Sequence, residues 1–244
     1  MNEQITNSRD LAIFDTLREA WRLMKGSKLA ILVPLLVPMI FFLVPTMINV
    51  IFTSSSITTI FTAFCYVVGM FLFLGIIAGI IKISIERARG NAVSISMGFR
   101  SFSRMIPLLL TVILFGVLSQ LPSLIMLMLK IEPTAIVAPL ILIYVLLVTT
   151  FLYLSMLLAV DKTNNPFTAI SRSFNVIRPH WLKVLGIIVI TEVIGFMIGM
   201  LIGFAEGFFN VPEIVGNVLM CIAIIWYVPF MLLVQGLVYH KLID

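Results

Sequence analysis

Glu192 is the residue best placed to do chemistry in this chain, because it is the lone charge in a long apolar run, Val184 to Ala205. A carboxyl group among hydrocarbon loses several kcal/mol of hydration unless a proton, a cation or a hydrogen-bond donor meets it. Such a group suits one of two tasks. It can exchange a proton or hold a polar solute or lipid group, or it can clasp a neighbouring helix through hydrogen bonds. Gly195, Gly199, Gly203 and Gly207 follow at four-residue spacing, a small-residue stripe that lets a second helix approach backbone to backbone. At about 100° per residue, Glu192 projects from the middle of that stripe, so the spacing turns the acid toward protein rather than lipid. Counting roughly 1.5 Å per residue from Lys183 puts it about 13 Å into a hydrocarbon layer about 30 Å thick, close to the midplane.

The remaining chemistry-bearing residues are read against this one. No Lys or Arg lies within the apolar runs, so the expected partner of Glu192 is a hydroxyl or an amide. Gln120 falls in its column when the repeats described below are aligned, with Met39 in the third, and is the expected partner. His180 and His240 have no cysteine or carboxylate at metal-ligand spacing, and Cys65 and Cys221 sit inside apolar runs. Phosphate-binding loops, nucleophile elbows and zinc-protease helices are missing from the sequence. The expectation is a protein without catalytic, cofactor or metal residues, and not an enzyme. Gly75 and Gly79 form a weaker small-residue pair, read as a packing contact.

These residues must be positioned by helices in a membrane. Of 244 residues 61% are hydrophobic and 11% charged, with a mean hydropathy of +1.17, whereas soluble domains carry about 25% charge. The net charge of +5 sits in the short connections between apolar runs, which argues for topology signals rather than nucleic-acid binding. Six runs of roughly 20 residues or more are expected to span: Leu29 to Phe52, a second ending at Ile81, Ile106 to Leu129, Thr134 to Val160, Val184 to Ala205, and Ile214 to Tyr239. Polar turns at Thr53 to Ser56, Lys130 to Pro133 and Glu206 to Glu213 close three hairpins. Pro34, Pro38 and Pro45 should bend the first span, which neighbouring helices or water make tolerable. Met1 to Ser8 is polar and expected to be mobile.

An amphipathic pattern precedes each hairpin. Phe167, Ile170, Phe174 and Ile177 lie at i, i+3, i+7 and i+10 before Pro179. Phe14, Leu17, Trp21 and Met24 repeat the spacing before Gly26, and Ile95, Gly98, Phe102 and Met105 repeat it before Pro107. This predicts a threefold internal repeat, units about 10–82, 92–160 and 165–240 of one membrane domain, each an interfacial helix, a breaker and two spans. Fifteen of the sixteen Lys and Arg residues fall on one side of that layout and Lys130 alone on the other, which places both termini and the three interfacial helices in the cytoplasm. Repeats of two crossings all enter from one side, so they are parallel, related by a pseudo-threefold axis along the membrane normal. The basic residues Arg87, Arg89, Arg172 and Arg178 are candidate contacts for lipid headgroups. Trp21, Trp181, Trp226, Tyr227 and Tyr239 suit interfacial anchoring.

Leu158-Ala-Val-Asp161-Lys162, followed by Phe167, Ala169, Ile170 and Ser173, together with Glu86-Arg-Ala-Arg89 and Val93 to Leu109, resembles the YciC family of bacterial inner-membrane proteins. It is similar more distantly to the membrane module of some glycerophosphodiester phosphodiesterases. The resemblance implies a multi-pass protein of the bacterial cytoplasmic membrane and supplies no site residues. The combined expectation is an all-α membrane protein with six transmembrane helices and three cytoplasmic amphipathic helices. Its expected role is lipid- or small-solute handling at Glu192 and Gln120, and the alternative is a non-catalytic scaffold or assembly partner. Expected partners are membrane lipids and other membrane proteins.

Overall fold

The computed structural model describes residues 11–51, 56–130, 137–209 and 213–244, so Met1 to Ser8, most of the first two predicted hairpin turns and residues 210–212 of the third lie outside the described residues. The secondary structure among those described is helical: α1 (Ile13–Leu23), α2 (Lys28–Ile51), α3 (Ser56–Ala88), α4 (Met105–Leu129), α5 (Val137–Phe151), α6 (Ser155–Asp161), α7 (Pro166–Ile177), α8 (Trp181–Phe209) and α9 (Glu213–Ile243). Six helical stretches are long and apolar enough to cross a membrane, from Lys28–Pro45 to Val218–Ile243. Large apolar side chains such as Leu43, Val67, Leu142, Phe196 and Leu201 stand exposed along them, as a lipid-facing surface requires. The chain is therefore built as a multi-pass membrane protein.

The core lies where α3, α6 and α9 meet the start of α8. Ile76, Ile80, Ile83, Leu154, Leu157, Leu158, Ile187, Leu233 and Leu237 are fully buried there or nearly so. The close approach depends on glycines outside the predicted stripe. A Cβ on Gly236 would stand 2.5 Å from the Ser84 carbonyl oxygen, and one on Gly79 would stand 2.1 Å from that of Gly98. A Cβ on Gly75 would enter the Phe102 ring, and one on Gly98 would meet Pro34 Cγ at 2.6 Å. Gly75 and Gly79 thus seat the connection before α4 against α3, while Pro34 of α2 closes over it.

Four local features differ from the sequence expectation. α3 continues past Ile81 through Lys82 to Ala88, because Lys82 finds Asp161 across the bundle while Glu86 pairs with Lys82 and Arg89 along its own segment, so neither needs a water-facing turn. It ends at Gly90, whose φ of +86° is the left-handed conformation that glycine adopts without a Cβ penalty. The stretch with Ile95, Gly98, Phe102 and Met105 is not a regular helix but two short 3-10 turns, Ile95–Phe99 and Phe102–Arg104. In α1 and α7 the buried face is offset from the aromatic one: α1 buries Thr16, Ala20 and the following Met24, and α7 buries Ala169, Ser173 and Ile177. Phe14, Trp21, Phe167 and Phe174 are exposed. Small side chains let these short helices dock closely, and the large rings of the same apolar arc stay outside the core, Trp21 against Trp226 and Phe174 against Phe151.

The fourth difference matters for function. The predicted span Thr134 to Val160 is broken after Phe151, and α6 starts only at Ser155. Thr150 Oγ1 donates back to the Leu146 carbonyl at 2.7 Å and Ser155 Oγ to that of Leu152 at 2.7 Å, side-chain bonds that compete with a regular ladder. Ser173 of α7 fills the gap. Its hydroxyl donates to the Phe151 carbonyl at 2.8 Å and accepts from the Leu154 N–H at 3.3 Å, so the interrupted backbone is satisfied without water.

Candidate functional site

The break places Tyr153 inward. Its ring is 8% exposed, and its hydroxyl, fully buried, has no hydrogen-bond partner among the described residues. It lines a cavity of about 110 Å³ together with Thr149 of α5, Thr191 and Glu192 of α8 and Gln235 of α9. A buried hydroxyl without a partner costs about 1–3 kcal/mol, so a polar cavity beside it is a place for water or a ligand.

Glu192 also lines a second cavity, of about 260 Å³, with Gly195, Gly199, Met220, Ala223 and Tyr227. The two cavities follow one seam between α8 and α9. Residues before Glu192 on α8 and after Tyr227 on α9 enclose the first, and residues after Glu192 and before Tyr227 enclose the second. Tyr227 forms the waist. Its ring lies over Gly195, where a Cβ would come within 2.5 Å of the phenol oxygen, and its hydroxyl donates to the Thr191 carbonyl at 3.1 Å. Glu192 lines both spaces, yet it is an exposed residue, so the acid is not enclosed by protein as the glycine spacing suggests.

The predicted site residues separate in the structure. Gln120 is exposed on α4 and lines neither cavity, and Gln235 supplies the amide instead. The aligned column does not bring the two side chains together, because α8 packs mainly on α9 and α5 whereas α4 packs mainly on α5, α6 and α7. Of the glycine stripe only Gly195 is covered; around Gly199, Gly203 and Gly207 an added Cβ would meet nothing within 4 Å. Tyr153 and Gln235 were missed in the sequence. The available signal was the run Thr149-Thr150 through Ser155, in which hydroxyl residues flank a tyrosine inside an apolar segment.

The basic residues also divide. Arg87 donates through Nη2 to the Lys25 carbonyl at 2.9 Å and through Nε to that of Leu23 at 3.3 Å, so it caps the end of α1. Arg89 joins a buried ionic cluster. Its Nη2 meets Asp161 at 2.7 Å, Nη1 meets Glu86 at 3.0 Å and Nε meets Asp244 at 2.8 Å. Lys82 bonds Asp161 at 2.6 Å, Lys162 meets Asp244 at 3.1 Å, and the Tyr239 hydroxyl donates to Asp161 at 2.8 Å. Asp244 and Asp161 hold the Arg89 guanidinium well above its ordinary pKa, so it stays charged. Burial alone would raise the Asp244 carboxyl, but Arg89 and Lys162 outweigh it and hold the group below its usual range. Three cations face three carboxylates, which leaves this cluster no charge for a ligand. It is a clasp between α3, α6 and α9, and Tyr239 is part of it rather than an interfacial anchor. Arg172 and Arg178 are exposed.

Chemically, the seam offers a carboxyl, an amide and two phenols at the boundary of two cavities. That set can hold a proton, a small cation or a hydroxyl- or ammonium-bearing group, and among the described residues no group of His, Cys, Asp and Glu is arranged to bind a metal. Comparison with protein-family models, curated proteins and solved structures finds no match to this chain.

Proposed function

We propose that this is a lipid- or small-solute-handling protein of the bacterial cytoplasmic membrane, non-enzymatic, that holds its ligand at the α8–α9 seam beside Glu192. One observation carries the reading: two cavities share Glu192 in their lining, and the buried Tyr153 hydroxyl in the first of them has no hydrogen-bond partner among the described residues. Membership in a YciC-like family is part of the proposal. It rests on the sequence resemblance of Glu86 to Arg89, Val93 to Leu109 and the segment from Leu158 to Ser173. Cytoplasmic termini rest on the distribution of Lys and Arg. The parallel repeat gains support from matching burial in α1 and α7: Thr16 and Ala169, Ala20 and Ser173, Met24 and Ile177 are buried at the same offsets, and Phe14 and Phe167 are exposed.

The test compares what the wild type and a Glu192→Gln/Tyr153→Phe variant carry when purified from native membranes, with bound small molecules and lipids quantified by mass spectrometry. Hydrogen bonds to a charged group contribute about 1.5–3 kcal/mol, so a seam ligand should fall at least about tenfold in the variant while the melting temperature stays within a few degrees. An identical inventory would contradict the proposal. That outcome would favour a second reading, a scaffold that binds a partner helix, for which the uncovered Gly199, Gly203 and Gly207 face is the specific observation.

A further inference from the structure

We infer a second binding site, for the phosphate-bearing headgroup of an anionic phospholipid, where α1 turns into α2. A cavity of about 360 Å³ opens there, lined by Trp21, Lys25, Gly26, Lys28 and Trp226 among others; it shares no lining residue with the seam cavities, and its wall has no carboxylate among the described residues. Trp21 and Trp226 stack with ring centroids 5.7 Å apart, and the Lys28 ammonium lies over the Trp226 ring. Paired indoles beside lysines are the chemistry of a membrane interface, where the rings sit at headgroup level and the ammonium groups meet phosphate.

The geometry of the turn concentrates positive charge. Gly26, at φ +87°, reverses the chain so that Lys25 and Lys28 flank one opening. Arg87 reaches the same turn, its Nη2 2.9 Å from the Lys25 carbonyl and 3.8 Å from where a Gly26 Cβ would stand. α2 has no acidic residue in its first turn, so the helix dipole adds to this charge instead of offsetting it. Lys25 and Lys28 at the opening, Arg87 behind the turn and the positive end of the α2 dipole together are complementary to a phosphate. The membrane supplies one joined to acyl chains, which the exposed apolar surface of Leu29 continues to meet. Arg87 is held by the α1 carbonyls, which leaves Lys25 and Lys28 to carry the selectivity.

Tryptophan quenching by brominated lipids reads this site directly. A Trp181→Phe background leaves Trp21 and Trp226 as the reporters. The protein is reconstituted in vesicles in which brominated phosphatidylglycerol or brominated phosphatidylcholine is mixed into an unbrominated bilayer. The anionic lipid should occupy the site about tenfold better, on the order of what two lysines near an anionic surface contribute. In Lys25→Gln/Lys28→Gln the preference should fall to near unity, in Lys25→Arg/Lys28→Arg it should persist, and Arg172→Gln/Arg178→Gln should leave it unchanged. Equal quenching by both lipids, a preference that survives the glutamine pair, or loss of it on adding inorganic phosphate would each overturn the inference. It stands or falls separately from the seam, since none of these variants touches Glu192.

Discussion

Replacing Asp161 by Asn should lower the melting temperature in detergent by about 10 °C. The side chain is 5% exposed and accepts from Lys82, Arg89 and Tyr239, which come from two different helices. Removing its charge leaves two cations facing a neutral amide that satisfies them poorly. Breaking such a buried ion pair costs about 3–5 kcal/mol. Lys82 and Arg89 are 33% and 21% exposed, so solvent relieves part of the loss and the lower end, about 3 kcal/mol, applies. At about 2–4 °C per kcal/mol for a chain of this size, that gives the expected shift. Lys162→Gln, at the exposed margin of the same cluster, should change the melting temperature by no more than a degree or two. If the two variants melt alike, the clasp is not what joins α3, α6 and α9.

The second large effect separates glycines that look equivalent in the sequence. Gly236→Ala should destabilise the protein by about 2–3 kcal/mol or prevent its accumulation, because the new methyl would press on the Ser84 backbone, which cannot turn aside as a side chain can. Gly79→Ala should be at least as damaging, since the Gly98 carbonyl lies closer still. Gly203→Ala and Gly207→Ala should leave the monomer's melting temperature unchanged or slightly raised, as alanine favours the helix by up to about 1 kcal/mol over glycine. Thermal unfolding of the four variants side by side decides the matter. A reversed order would mean that the stripe, not the contacts of α3 with α9 and with the connection before α4, carries the tight packing.

That contrast also marks how far the sequence could be read. The presence of six spans was legible because it follows from hydropathy and length, although the end of the second and the break in the fourth did not, and Glu192 was legible because a lone acid in hydrocarbon is visible without a fold. Four-residue spacing identified Gly195 to Gly207, yet whether a glycine is covered depends on which backbone lies opposite, and that is a property of the partner. Gly236 has no such neighbours in its own helix. The clasp was hidden for the same reason: Asp161 meets Lys82 and Arg89, which are 79 and 72 positions away. Tyr153 turns into the seam only because Ser173, on another helix, replaces the hydrogen bonds lost at the break. Gln120 shows the reverse error, an aligned position taken for a contact although α4 and α8 pack mainly on other helices.

The seam is the centre of this account, and thiol accessibility tests it most directly. In a background with Cys65 and Cys221 replaced by Ala, single cysteines are introduced at Glu192, at Gln235 and at the exposed apolar Leu201, and each is treated in intact membranes with a water-soluble maleimide. A thiol in hydrocarbon stays protonated and unreactive, whereas one in a wet cavity ionises. Positions 192 and 235 should label at least about tenfold faster than 201. Equal rates at all three positions, or no labelling at 192 and 235, would contradict a polar seam within the membrane.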